Sequence, residues 1–332
     1  MDVVTLGESM VTFLPGRAGR LADVPSFDRA IGGAESNVAC ALAAFGHTAR
    51  WVGRVGADGF GDHLVERIAG HGVDVSAVRR DPARPTGVYF RTAGDRGTGA
   101  HEVAYYREGS AASAMSTATV DLAAVRAGRV LHLSGITAAL SGDCLELMRA
   151  LTARAPGRPL LSFDVNHRPG LPGTDPAALL ELARGADLAF VGEDEAEQAW
   201  GVTGGPAAIR EALPEPAVLV VKQGARGATA FDGGPAFQPA PRTSVVAPTG
   251  AGDAFAAGFL SATLRGLPVR DRLRHGHLMA AAALTTRGDL AAPPARAHAD
   301  RLAALDDDAW GRLRLGPGWT KADRATEEAN TP

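Results

Sequence analysis

Lysine is nearly absent from this chain: among 332 residues only Lys222 and Lys321 carry it, and the other basic side chains are arginines. A Walker-type GxxxxGK[ST] loop needs a lysine directly after glycine, and neither lysine has that setting, so the P-loop class of kinases is excluded. Cysteine is equally scarce. Cys40 and Cys144 are too few for a disulfide framework and lack zinc-type spacing, which suits a reducing cytoplasm. Neither an 18-residue apolar run nor a signal peptide occurs, so no membrane span and no secretion are expected. The net charge of −3 supplies no general attraction to nucleic acid or to an anionic membrane. None of the nine histidines sits with Ser or Cys in a pattern that suggests nucleophilic catalysis.

What the chain does have is a 45% hydrophobic content, enough for one large core. Short apolar runs recur at Asp2–Glu8, Val130–Leu133, Leu160–Asp164, Leu188–Val191 and Val218–Lys222. Ala/Leu-rich helical stretches separate them, which predicts parallel strands joined by crossover helices. The expected fold is α/β, a three-layer αβα sandwich with a mostly parallel sheet and ligands beyond the strands' carboxyl ends. Two segments, about 10–31 and 84–108, alternate apolar and polar residues instead. Around a Gly-rich turn, Thr86–Arg91 and Glu102–Arg107 read as a hairpin. A small sheet of this kind either covers a site or pairs with a partner. One folded unit is expected to span 1–315, and the polar tail 316–332 to be disordered.

The densest chemistry lies in Pro248-Thr249-Gly250-Ala251-Gly252-Asp253-Ala254-Phe255. Gly250, Ala251 and Gly252 let backbone N–H groups converge, and the apolar run that follows starts a helix whose positive end faces the same point. Asp253, in the first turn, is placed to take a proton from a hydroxyl attacking phosphorus. First-turn carboxylates also occur simply because they suit the helix dipole. A second glycine cluster, Ile31-Gly32-Gly33-Ala34-Glu35-Ser36-Asn37, leads into another helix. There Gly33 permits close backbone approach and Asn37 offers donor and acceptor alike.

Together these clusters resemble the paired signatures of the ribokinase-like (PfkB) sugar kinases, over residues 1 to about 310. Within that family the chain is similar to the 2-keto-3-deoxygluconate kinases at Gly33–Asn37, Tyr105–Ala111, Leu133–Thr137 and Asp164–Arg168. The resemblance implies ATP and Mg²⁺, a small sugar acid as substrate, and a homo-oligomer built through the lid sheet. It implies Asp253 as general base and Gly250, Ala251 and Gly252 as the anion hole. Substrate contacts are implied at Gly33, Ala34, Glu35, Ser36, Asn37, Tyr89, Tyr105, Tyr106, Arg107, Ile136 and Arg168. Nucleotide contacts are implied at Asn166, Lys222, Gly224, Arg226, Gly227 and His277, and Glu195 is implied near Mg²⁺ through water. On a strand, Tyr105 and Arg107 share one face, and a bidentate arginine suits a carboxylate that a neutral hexose lacks.

Three positions depart from the family pattern. Ala247 stands where many relatives have an Asp that helps hold a monovalent cation, so potassium activation is in doubt. Gly192 replaces a frequent Asn, and His277 aligns with an Asn near the adenine. Two other readings stay open: a fructokinase or related keto-sugar kinase, and a non-catalytic sugar-acid sensor.

Overall fold

The structure is a computed structural model and describes residues 1–17, 19–92, 102–168, 171, 173–286 and 288–321. Strand β1 (Val3–Leu6) opens the chain, which then leaves for β2 (Met10–Pro15) and β3 (Phe27–Gly32) and returns through helix α1 (Ala34–Ala44) to β4 (Ala49–Val52). The short β5 (Arg54–Gly56), helix α2 (Gly59–Gly70) and β6 (Arg79–Asp81) follow, then β7 (Val88–Arg91) and β8 (Val103–Tyr106). A turn of helix, α3 (Leu122–Val125), leads to β9 (Val130–Ser134), α4 (Gly135–Ala138) and α5 (Gly142–Thr152). Alternation then becomes regular: β10 (Leu160–Asp164), α6 (Pro176–Gly185), β11 (Leu188–Gly192), α7 (Glu193–Trp200), α8 (Gly205–Ala212) and β12 (Val218–Lys222). The hairpin β13 (Gly227–Phe231) and β14 (Pro235–Pro239) precedes two long helices, α9 (Ala251–Leu264) and α10 (Val269–Leu284).

Eight strands form the central sheet in the order β14-β13-β12-β11-β10-β9-β1-β4. From β4 to β12 every neighbour is parallel, and only the β13–β14 edge runs antiparallel. Each of these central strands is apolar on both sides because helices cover both faces. Phe190 of β11 packs against Phe255 and Phe259 of α9 on one face, while Leu133, Leu147, Phe163 and Leu182 fill the other. The α/β sandwich expected from the sequence is therefore the fold observed. Because the strands are parallel, the ends of β9, β10, β11 and β12 at Ser134, Asp164, Gly192 and Lys222 open on one side.

On that side stands a separate four-stranded sheet, β3-β2-β7-β8. β2 pairs antiparallel with β3 and parallel with β7, and β7 pairs antiparallel with β8. The Gly-rich turn expected between the last two lies outside the described residues. At the far end, the tail expected to be disordered from Gly316 instead carries a 3₁₀ turn at Trp319–Lys321, with Trp319 against the core. The rest of that tail lies outside the described residues.

Candidate active site

Helix α9 begins at Gly250, whose φ of +77° only glycine adopts readily. A Cβ there would also sit 2.3 Å from the Asp289 carbonyl oxygen. The residue thus turns the chain so sharply that the first N–H groups of α9, which have no partners inside the helix, face the open ends of the strands. Asp253 lies in this first turn, buried, and its Oδ2 accepts from Asn37 Nδ2 at 2.8 Å. Burial pushes the Asp253 carboxyl up, while Asn37, Arg168 and Lys222 oppose it and Asp164 adds to it, leaving a pKa of about 7. A carboxylate poised near neutrality suits a general base.

Asn37 comes from the first turn of α1, which starts after Gly33, so the first turns of two helices meet at the Asn37–Asp253 bond. Ala34 is half-buried beside it. Glu35 is buried, and its Oε1 accepts from Ser134 Oγ at 2.9 Å and Thr137 Oγ1 at 2.7 Å. Burial raises its pKa to about 7. Ser36 turns inward too, bonding Ser9 Oγ and the Gly33 carbonyl. Ile136 is half-buried in α4, next to these hydroxyls.

On the small sheet, Tyr105 and Arg107 do share a face, with the guanidinium 5.7 Å from the ring centroid. Tyr106 takes the other face and packs edge-on against Phe90, so it is not brought to the cleft. Arg107 is not free for a ligand, since it pairs with buried Glu8, whose Oε1 also accepts from Ser110 Oγ at 2.6 Å. Its Nε is buried and makes no hydrogen bond among the described residues. Tyr89 stacks near Tyr105 at 5.5 Å, but it is buried and its hydroxyl donates to Asp289 Oδ2 at 2.6 Å. Glu8, Asp289 and Arg91 escaped the sequence reading because each is a lone charge in an ordinary context. The one available signal was the alternation in Tyr89-Phe90-Arg91, which puts Tyr89 and Arg91 on one face.

At the strand ends, Asn166 has φ +44°, the left-handed region that a non-glycine residue enters at a cost. Arg168 follows it, exposed, and near enough to lower the Asp253 carboxyl. Lys222 was expected against phosphates. Instead Nζ donates to both Asp164 oxygens at 2.9 and 3.0 Å and stands 4.0 Å from Glu195 Oε2. Burial works against this ammonium, yet the Asp164 and Glu195 charges outweigh it and hold its pKa above the ordinary value. Glu195 accepts from the Gly192 N–H at 2.6 Å at the start of α7, and burial raises its carboxyl. Gly224 and Gly227 flank a short 3₁₀ turn after β12, and Arg226 between them is exposed and paired with Glu193. His277, expected near the adenine, is buried between Phe255 and Trp310 and bonded to the Gln238 carbonyl oxygen at 3.0 Å, and burial lowers its pKa to about 4. An imidazole there substitutes for core packing.

Residues 1–296 match the description "pfkB family carbohydrate kinase". The chain belongs to this family. It is a carbohydrate kinase, a phosphotransferase with an alcohol group as acceptor. A 2-dehydro-3-deoxygluconokinase of Thermoproteus tenax is 35% identical over 309 residues, covering 91% of this chain and 94% of that protein. Fructokinase-2 of Zea mays is 31% identical over 320 residues, covering 91% and 94%. Among solved structures, a PfkB protein from Polaromonas sp. JS666 is 35% identical with a TM-score of 0.79, covering 90% of this chain and 99% of that one.

Proposed function

We propose that this kinase transfers the γ-phosphoryl group of ATP to the terminal hydroxyl of 2-keto-3-deoxygluconate, giving 2-keto-3-deoxy-6-phosphogluconate and ADP. The observation that carries the chemistry is Asp253, a buried carboxylate with a pKa near 7 at the N-terminus of α9, oriented by Asn37. Asp253 takes the hydroxyl proton as the sugar oxygen bonds to phosphorus and the bond from phosphorus to the ADP oxygen breaks. Gly250, Ala251 and Gly252 donate N–H groups to the charge on the transferring group, and losing one such donor costs about 10²–10³ in rate. Gly252, where a Cβ would meet only the Lys222 ammonium at 3.8 Å, is the feature of this chain that fits an anion there.

Mg²⁺, when bound with the nucleotide, neutralises charge on the phosphates. No cluster of three or more His, Cys, Asp or Glu suited to a metal occurs among the described residues. The ion would therefore be held chiefly by the phosphates, with Glu195 acting through water. Gly224 and Gly227 allow the chain to pass near the nucleotide, and Asn166 and Lys222 line the strand ends beneath it. Ala247 supplies no carboxylate for a monovalent cation.

For the substrate, exposed Arg168 offers a cation close to Asp253, which favours a carboxylate over a neutral sugar. The same choice follows the name of the Thermoproteus tenax relative. Fructokinase is the second reading, favoured by the maize relative and by the Glu8 partner that already occupies Arg107. The small sheet acts as a lid. One of its faces groups Phe13, Phe27, Phe90 and Tyr106, with Phe60 of α2 edge-on to Phe13, an apolar surface suited to a second copy of the chain. Among the described residues no helix is long and apolar enough to cross a membrane, and buried thiols at Cys40 and Cys144 suit the cytoplasm.

Coupled ADP release with Mg-ATP tests this against 2-keto-3-deoxygluconate, 2-keto-3-deoxygalactonate, fructose, ribose and adenosine. Turnover concentrated on the keto-deoxy acids and lost in Asp253→Asn is expected. Turnover on fructose alone overturns the acid reading, and ligand binding without ADP release would indicate a sensor.

A further inference from the structure

Three segments far apart in the chain meet at the Asp289 carboxylate. Tyr89 and Arg91 project from one face of β7, and the Tyr89 hydroxyl donates to Oδ2 while Arg91 Nη2 donates to Oδ1. Arg91 Nη1 reaches further, to the Thr249 hydroxyl at 2.9 Å, and Thr249 directly precedes the anion turn. Both charges are shut from water, with side chains 5% and 4% exposed. Gly32, the last residue of β3, closes the third side: a Cβ there would lie 2.1 Å from the Tyr89 hydroxyl and 2.6 Å from Asp289 Oδ2.

Stability does not explain this arrangement, since burying two charges costs about as much as their attraction returns. Apolar side chains could hold β7 equally well. What a guanidinium adds is direction, because its planar fork fixes two N–H groups at a set angle. Here one branch holds Asp289 and the other holds Thr249.

We propose that Arg91 is a positioning residue for phosphoryl transfer. Its guanidinium fixes the Thr249–Gly250 turn relative to the small sheet, so that the anion hole and the sheet over the substrate keep one register. The proposal rests on reading Gly250–Asp253 as the phosphoryl-transfer turn. A misplacement of about 1 Å can cost about a hundredfold in rate. A residue that acts by placing the turn therefore changes kcat and leaves ground-state binding nearly intact.

Arg91→Ala would leave Asp289 charged and buried, and is expected to fold poorly. Two milder variants carry the test. Thr249→Val keeps the shape and the Arg91–Asp289 pair but removes the acceptor, while Arg91→Lys keeps the charge without the fork. Each is assayed by coupled ADP release well below its own melting midpoint, with Mg-ATP and the sugar that the wild type turns over. Expected is a kcat lower by about 10- to 100-fold in each, both KM values within about twofold, and no further loss in the double variant. Wild-type kcat in either variant, a loss confined to KM, or losses that multiply would overturn the proposal. Asp253→Asn separates the two readings. Retained turnover there overturns the phosphoryl-transfer turn and Arg91's role with it, whereas silence there beside wild-type rates in Thr249→Val overturns Arg91's role alone.

Discussion

Asn37 Nδ2 donates to Asp253 Oδ2 over 2.8 Å, between residues 216 positions apart. The bond ties the first turn of α1 to the first turn of α9 and holds the carboxylate in one rotamer. It also favours the charged form, so Asn37 tunes the base as well as orienting it.

Proton withdrawal requires Asp253 charged, and its pKa is near 7. Below that pH, kcat/KM should fall about tenfold per unit and above it level off. Asn37→Ala removes a bond that lowers the pKa, so the acid limb should move to higher pH. A limb that stays in place would separate Asp253 from the rate.

Stability should respond in the opposite sense to activity. The folded pKa of Asp253 lies above its unfolded value of about 3.9, so the folded chain holds the proton more tightly. The stability this gives is present below about pH 4 and is lost as pH rises through about 7. Asp253→Asn removes that loss. Its melting midpoint should exceed the wild type's most above pH 7, with the difference shrinking toward pH 4, while kcat falls about 10²–10⁴. Equal midpoints at pH 8 would show that the carboxylate is not buried as described.

The fold was legible in the sequence because parallel strands covered on both faces are predominantly apolar, and β9, β10, β11 and β12 stand out as such runs. The helix starts were legible for a related reason: glycine clusters mark where backbone must approach closely. Charge pairing was not. Lys222, Arg107 and Arg226 were read as ligand contacts, yet each meets a carboxylate from a different element: Asp164, Glu8 and Glu193. Such partners are brought together by topology, and no local pattern announces them. The partner of His277 was equally illegible, since the Gln238 carbonyl oxygen that it meets lies 39 positions away.

Arg168 supplies a prediction with two readouts. It is exposed and lowers the Asp253 carboxyl. If it also meets the substrate carboxylate, Arg168→Gln should raise KM for 2-keto-3-deoxygluconate by about 10- to 100-fold, as expected for a hydrogen bond to a charged group. The acid limb should move up in pH in the same variant. A shifted limb with unchanged KM would leave Arg168 as an electrostatic neighbour only.

Lys222 decides between two uses of a buried cation. Its Nζ lies 3.8 Å from where a Cβ on Gly252 would stand, so it borders the anion hole even while bonded to Asp164. Lys222→Met would leave Asp164 charged and enclosed, which costs about 3–5 kcal/mol and should appear as a lower urea midpoint. Adding Asp164→Asn removes the stranded charge and should recover most of that midpoint. Activity should not follow: if Lys222 also attracts the nucleotide phosphates, KM for ATP stays raised in the double variant although its fold is restored. Recovery of both together would make Lys222 purely a partner for Asp164, and the phosphates would then depend on the N–H groups of α9 alone.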